Sequence, residues 1–394
     1  MAYYWDEARE ALAFNWEETH PNIKVEPIVI PAWGDYPVKA AAMFASATLG
    51  DTLEFDAGIN FNIWAHRGML RPLDDLISAT DYNIEGLFPA AVDALTHTGH
   101  IFGLPQYSHP GCVAPMYNAD LFDELGVDAP ANDWDYNEFV DTMKNLTQDT
   151  DGDGQIDIWG YVAHAKMKGL YPRLRANGGQ VYDPTAHECI YDQPAGIQTL
   201  TDRYDLFHTH KVSPIPGAGA TEQELWRSQK AAMWLMTPAH IMSQTLAMKD
   251  EFRVESVLMP KNPETGARGS CTAGISQGIT TLAKEPEAVW EYLTWVSSTW
   301  FGVEAFKRGL TLPGPQREAW LSPEVTDEWP MAKEIVDILD HSEAAEIPWN
   351  LRGQEIDVTF TALTTELWVG DLTPEECADR LVQEINDILA KPML

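Results

Sequence analysis

Gly103-Leu104-Pro105-Gln106-Tyr107, Ala114-Pro115-Met116-Tyr117-Asn118-Ala119-Asp120-Leu121-Phe122-Asp123-Glu124-Leu125-Gly126-Val127 and Asp149-Thr150-Asp151-Gly152-Asp153-Gly154-Gln155-Ile156-Asp157-Ile158-Trp159-Gly160-Tyr161 decide the reading of the chain by their order and spacing. The first is a turn punctuated by Gly and Pro. The second holds a short helix from Asn118 to Leu125. The third is an acidic loop broken by glycines.

Working outward, residues 6–19 read as an amphipathic helix, with Ala8, Leu12 and Trp16 on one face. His20-Pro21-Asn22 stops it, and Ile23 to Ile30 follows as a strand. Trp33-Gly34-Asp35-Tyr36 turns into a helix over Val38 to Ala47; Leu53 to Ala57 is a short strand, and Asn60 to Arg67 a turn and helix. Further on, helices are expected over Tyr136 to Leu146, Asp202 to His210 and Pro286 to Phe306. Strands are expected over Ala231 to Met236, Val254 to Met259 and Ile275 to Leu282. Thr373 with Glu376 three residues on forms a capping box for the last helix. Strands alternating with helices argue for βα units and a largely parallel sheet, hence the α/β class.

At 394 residues the chain exceeds one ordinary core, so two lobes of about 150–200 residues each are expected. A formal net charge of -34 disfavours nucleic acid and anionic bilayers as partners. No apolar run approaches the roughly 18 residues that a membrane span needs. Strand-like residues begin almost at Met1, so a removed export segment, of the lipoprotein type, is expected. Cys112, Cys189, Cys271 and Cys377 lie far apart with no Cys-x-x-Cys spacing, which excludes zinc and redox motifs. A Cys112–Cys271 disulfide and buried free thiols both stay open.

The three opening pieces resemble the extracellular solute-binding proteins of ATP-driven importers, in particular the carbohydrate-type, maltose-binding-protein-like family. The likeness runs through Asn22-Ile23-Lys24-Val25, Gly68-Met69-Leu70-Arg71-Pro72-Leu73-Asp74-Asp75, Asn177-Gly178-Gly179, Ala231-Ala232-Met233-Trp234, Ala288-Val289-Trp290-Glu291-Tyr292-Leu293 and Gly370-Asp371-Leu372-Thr373-Pro374-Glu375. It implies a type II periplasmic-binding-protein fold: two α/β lobes, a ligand cleft between them and several chain crossings. Crossings are expected near 109–113, 270–274 and 311–315, where Pro and Gly punctuate. The lobes would then be 1–111 with 273–313, and 112–272 with 314–394. The resemblance further implies a periplasmic or extracellular receptor, monomeric, that captures a carbohydrate by hinge closure and hands it to the transmembrane and ATPase subunits of a permease. An anionic solute, such as a uronate or glycerol phosphate, is the alternative ligand.

A sugar site needs flat aromatic surfaces and fixed polar partners. Of the 15 tryptophans, Trp16, Trp290, Trp295 and Trp368 sit on apolar helix faces and read as core. Trp33, directly after a strand, and Trp349, in the irregular Ile347-Pro348-Trp349-Asn350, are the candidate platforms, with Arg352 near the latter. Asp56 and Asn60 are candidate hydroxyl partners, although Asn60 also suits a helix cap. Tyr107 and His109 lie at the first crossing, and His240 is a candidate from the second lobe. Lys166, Lys168, Arg173 and Arg175 form a basic cluster that reads either as a solvated face or as a carboxylate-binding group.

Asp149, Asp151, Asp153, Gln155 (through its carbonyl) and Asp157 follow the spacing of a calcium loop. Position 12 is Gly160 in place of the bidentate Glu, so the loop is either a Ca²⁺ site or a self-capped turn of Asp and Gly. Gly274-Ile275-Ser276-Gln277-Gly278 matches the serine-hydrolase pattern in letters, with His341 downstream. A nucleophile elbow passes from strand straight into helix. Here Ile279 to Leu282 continues as strand, so an enzyme is not expected.

Overall fold

Short apolar strands separated by amphipathic helices build two α/β units in the computed structural model, which describes residues 2–4, 16–30, 35–56, 58–109, 114–163, 167–235, 251–270, 272–309 and 312–394. Unit 1 is Met1–His109 with Thr272–Ala345, and unit 2 is Pro110–Cys271 with Glu346–Leu394.

The sheet of unit 1 runs in the order Ile28–Ile30, Ala2–Tyr4, Thr52–Asp56, Ala273–Ile279, Leu104–His109. Ala2–Tyr4 pairs in parallel with both neighbours, whereas Ala273–Ile279 is antiparallel to both of its own. In unit 2 the order is Val254–Ser256, Met116–Asn118, Ala231–Leu235, Trp159–Ala163, with only the last pair parallel. Both sheets are therefore mixed, where a largely parallel one is expected from the βα alternation. Pairing direction is set by which distant segment returns to the sheet, and local periodicity carries no trace of that.

Leu53, Phe55 and every residue of Ala231–Leu235 are buried, as strands covered on both faces must be. Trp16, Trp290 and Trp368 are buried and Trp295 packs edge-on to Trp16 at 5.4 Å, which places all four in the cores. The helix Tyr136–Leu146 opens on a complete capping box from Asp135 and Glu138, and Pro374–Leu389 on the Thr373/Glu376 box. The expected helix from Pro286 to Phe306 is two helices, Pro286–Val296 and Thr299–Lys307. Ser297 ends the first, and Ser298 caps the second by accepting from Phe301 N–H at 3.2 Å. The expected Asp202–His210 helix starts earlier, at Pro194, a residue suited to a first helical turn.

The third crossing lies at 345/346 and not at 311–315. Residues 314–345 stay in unit 1 because Trp320 is fully buried there, edge-on to Phe88 at 6.4 Å, and the Arg317 guanidinium sits 5.4 Å from the Phe88 ring centre. A Pro/Gly signal at 313–314 marks a turn inside the unit, which sequence punctuation cannot separate from a crossing. The other two divisions fall at 109/110 and 271/272.

Candidate functional site

In unit 1 the strands Thr52–Asp56 and Leu104–His109 run the same way, on either side of the antiparallel Ala273–Ile279. Asp56 and Tyr107 both pair with Ile275, and His109 pairs with Ala273. The carboxyl ends of two like-directed strands thus carry Asp56, Tyr107 and His109 at one sheet edge, the edge at which open α/β sheets bind ligands. Asn60 follows in the first turn of the Ile59–His66 helix. Gly58 is the N-cap of that helix, two positions before Asn60. Trp33 and His240 lie outside the described residues.

Trp349 and Arg352 belong to unit 2 and are engaged within it. The Trp349 ring stacks on His187 at 4.9 Å and 6°, and its Nε1 donates to the Leu389 carbonyl at 3.0 Å. Arg352 donates from Nε to the Pro392 carbonyl at 2.9 Å and pairs with Glu355 at 3.3 Å. Between them, the fully buried Asn350 donates to the Ile388 carbonyl at 2.8 Å. These residues tie down the end of the last helix, satisfying carbonyls that a helix C-terminus leaves without intrahelical partners. Trp349 and Arg352 thus have partners within unit 2.

Half of the basic cluster is likewise committed. Arg173 donates to Asp202 at 2.5 Å, and Arg175 to Glu346 at 2.8 Å, both pairs being largely buried. Glu346 also accepts the N–H groups of Val181 and Tyr182, at 3.0 and 2.8 Å. Lys166 is outside the described residues. Sequence spacing could not show these partners, which lie far along the chain.

In the acidic loop, one carboxylate oxygen from each of Asp149, Asp151 and Asp153 falls within a 4.8 Å cluster. The same carboxylates accept loop N–H groups: Asp149 from Gly152 and Gly154, Asp151 from Asp153, Asp153 from Gln155. Asp157 lies outside that cluster and accepts from Thr150 N–H and Oγ1, at 2.8 and 2.6 Å, which holds its carboxyl below the usual range. The donor set is all oxygen and suits a hard cation such as Ca²⁺. Each of the three clustered carboxylates is also engaged in the turn, so the arrangement accommodates both readings of the loop.

Ser276 is in the middle of the Ala273–Ile279 strand, buried, with Phe55 and Pro105 as its cross-strand partners. Its Oγ has no hydrogen-bond partner, and no helix follows the strand directly. His341 is exposed and its Nδ1 is 2.7 Å from the Asp337 carbonyl oxygen, so the nucleophile geometry is not assembled. Cys189 and Cys377 are free, and burial pushes each thiol up to about 12, as expected of inert core thiols. Cys112 and Cys271 lie outside the described residues.

Comparison with known proteins fits this geometry. The model of the bacterial extracellular solute-binding proteins matches residues 1–299, and the chain belongs to that family. Among solved structures it is similar to a substrate-binding protein from Listeria monocytogenes in complex with cycloalternan, at 21% identity and a TM-score of 0.83, covering 99% of this chain and 98% of that one. It is also similar to the GacH receptor of Streptomyces glaucescens, solved unliganded and with acarbose, at 20% identity and 0.81, covering 100% and 98%. A solute-binding protein from Thermotoga lettingae bound to tagatose matches at 20% identity and 0.81, over 98% and 96%. The fold is that of the two-lobed binding proteins, and the family is extracellular and binds solutes without transforming them. No helix of the described residues is long and apolar enough to cross a membrane.

Proposed function

We propose that this protein is the receptor of an ABC importer for a carbohydrate. The observation that carries the reading is the end-to-end likeness to receptors solved with sugars, which range from tagatose to cycloalternan. Asp56, Asn60, Tyr107 and His109, at the ligand-competent edge of unit 1, are its half of the binding surface, with Trp33 and His240 as further contacts. A neutral sugar is favoured over a uronate or glycerol phosphate, because Arg173 and Arg175 already neutralise Asp202 and Glu346. The permease would supply the transmembrane and ATPase partners, and the receptor would act as a monomer held at the cell surface by a lipid.

A thermal-shift panel of monosaccharides, oligosaccharides, uronates and glycerol phosphates tests this, since a ligand of the native state raises Tm. A saturable rise with a neutral sugar, with no turnover of chromogenic glycosides or esters, supports the reading. A rise confined to the anionic solutes would replace it, and turnover would refute it. We further propose that the acidic loop holds a structural Ca²⁺ through Asp149, Asp151, Asp153 and the Gln155 carbonyl, with Asp157 behind them.

A further inference from the structure

We propose that a small cavity inside unit 2 is a binding site for one monovalent anion of about the size of chloride. The cavity measures about 30 Å³, and Tyr136, Tyr161, Gly169, Arg173, Asp202 and Arg203 contribute to its wall. It sits among the Trp159–Ala163 strand and the helices Met167–Ala176 and Pro194–His208.

Arg203 is 7% exposed. Its Nη2 donates to the Gly169 carbonyl at 3.2 Å, while its Nη1 is buried with no hydrogen-bond partner. Arg173 donates from Nε to Asp202, its guanidinium lies 3.9 Å from the Tyr136 ring centre, and its Nη1 is again buried without a partner. Two guanidiniums with unused N–H groups therefore line one cavity.

Charge does not balance there. Among the described residues Asp202 is the single carboxylate in the wall, and both of its oxygens are engaged: Oδ1 accepts from Gln198 at 2.8 Å, and Oδ2 from Arg173 and from Asn177 at 3.4 Å. The nearby Arg175–Glu346 pair is neutral as a whole and leaves the sum unchanged. The Tyr136 phenol stays protonated, since burial and then Asp202 disfavour its anion. One positive charge is left over among the described residues. Buried charge without a partner is strongly unfavourable, and buried donors demand acceptors. A water molecule supplies an acceptor without charge. A halide supplies both, and the volume exceeds the roughly 10–15 Å³ that a single water requires.

Crystals grown in bromide give a direct reading from the wild-type protein. The expected result is an anomalous peak in contact with Nη1 of Arg173 and of Arg203. Tm should rise saturably, by about 2–4 °C, in chloride or bromide over methanesulfonate at equal ionic strength, and Arg203→Met should abolish that difference. An ordered water without anomalous signal, or equal Tm in all three salts, would overturn the proposal. Should Arg203→Met fail to fold, the wild-type anomalous map still decides.

Discussion

Asp56 and Tyr107 stand at one level of the sheet in unit 1, paired to Ile275 from opposite sides. The antiparallel Ala273–Ile279 strand that returns between them fixes this register, so the two residues share one level of the sheet although the sequence separates them widely. If this edge holds sugar, Asp56→Ala and Asn60→Ala should each weaken binding by about 1–3 kcal/mol, the value of a lost hydrogen bond to a buried or charged partner. Calorimetry with the best ligand of the panel measures it. Wild-type affinity in both variants would remove the edge from the site.

Glu346 is the first residue of unit 2 after the last crossing, and it holds Arg175 and the N–H groups of Val181 and Tyr182. Its removal strips a largely buried guanidinium of its carboxylate and two amides of their acceptor. Glu346→Ala should cost about 3–5 kcal/mol in urea unfolding. Glu346→Gln keeps part of the hydrogen bonding and should lose less. Equal losses would mean that charge, and not amide acceptance, is the larger contribution.

Trp349 separates a ligand platform from a structural clamp. Its stacking on His187 and its bond to Leu389 predict that Trp349→Ala lowers stability by about 1–3 kcal/mol, less than a full core deletion, and leaves sugar affinity unchanged. Measuring both quantities decides between the roles. Lost affinity with intact stability would return Trp349 to the binding surface.

For the acidic loop, calcium added to chelator-treated protein should raise Tm by about 2–4 °C, through binding to the native state alone. Asp153→Asn should reduce the effect. An unchanged Tm would leave the loop as a turn closed by its own Asp–amide bonds.

Much of this architecture is legible in the sequence because its signals are local. Thr373 with Glu376 announces a helix start, and that capping box forms. The same holds for Trp16, Trp290 and Trp368, whose helical spacing already marks them as core. What is not legible depends on distant partners. Arg173 and Arg175 look like a free basic face until Asp202 and Glu346 are seen beside them. The antiparallel return of Ala273–Ile279, and the retention of 314–345 in unit 1 through Trp320 and Phe88, are equally non-local. Trp349 reads as a sugar platform by composition, and its contacts with His187 and Leu389 are not visible in the sequence.

Trp349 also reports on a pH-sensitive loop. The Asp183 carboxyl is held down at about 2, from an ordinary 3.8, first by the Thr185 hydroxyl and then by the N–H groups of Glu188, Thr185 and His187. A depressed carboxyl contributes stability that is fully present above its unfolded value and is lost as pH falls through the folded one. The loop should therefore loosen between pH 3.8 and about 2, releasing His187 from the Trp349 ring. A ¹³C titration of the Asp183 carboxyl should inflect near 2, with Trp349 fluorescence changing over the same range. Thr185→Val should move both transitions upward toward 3.8. A wild-type inflection already in the ordinary carboxylate range would mean that the Thr185–Asp183 bond does not persist in solution.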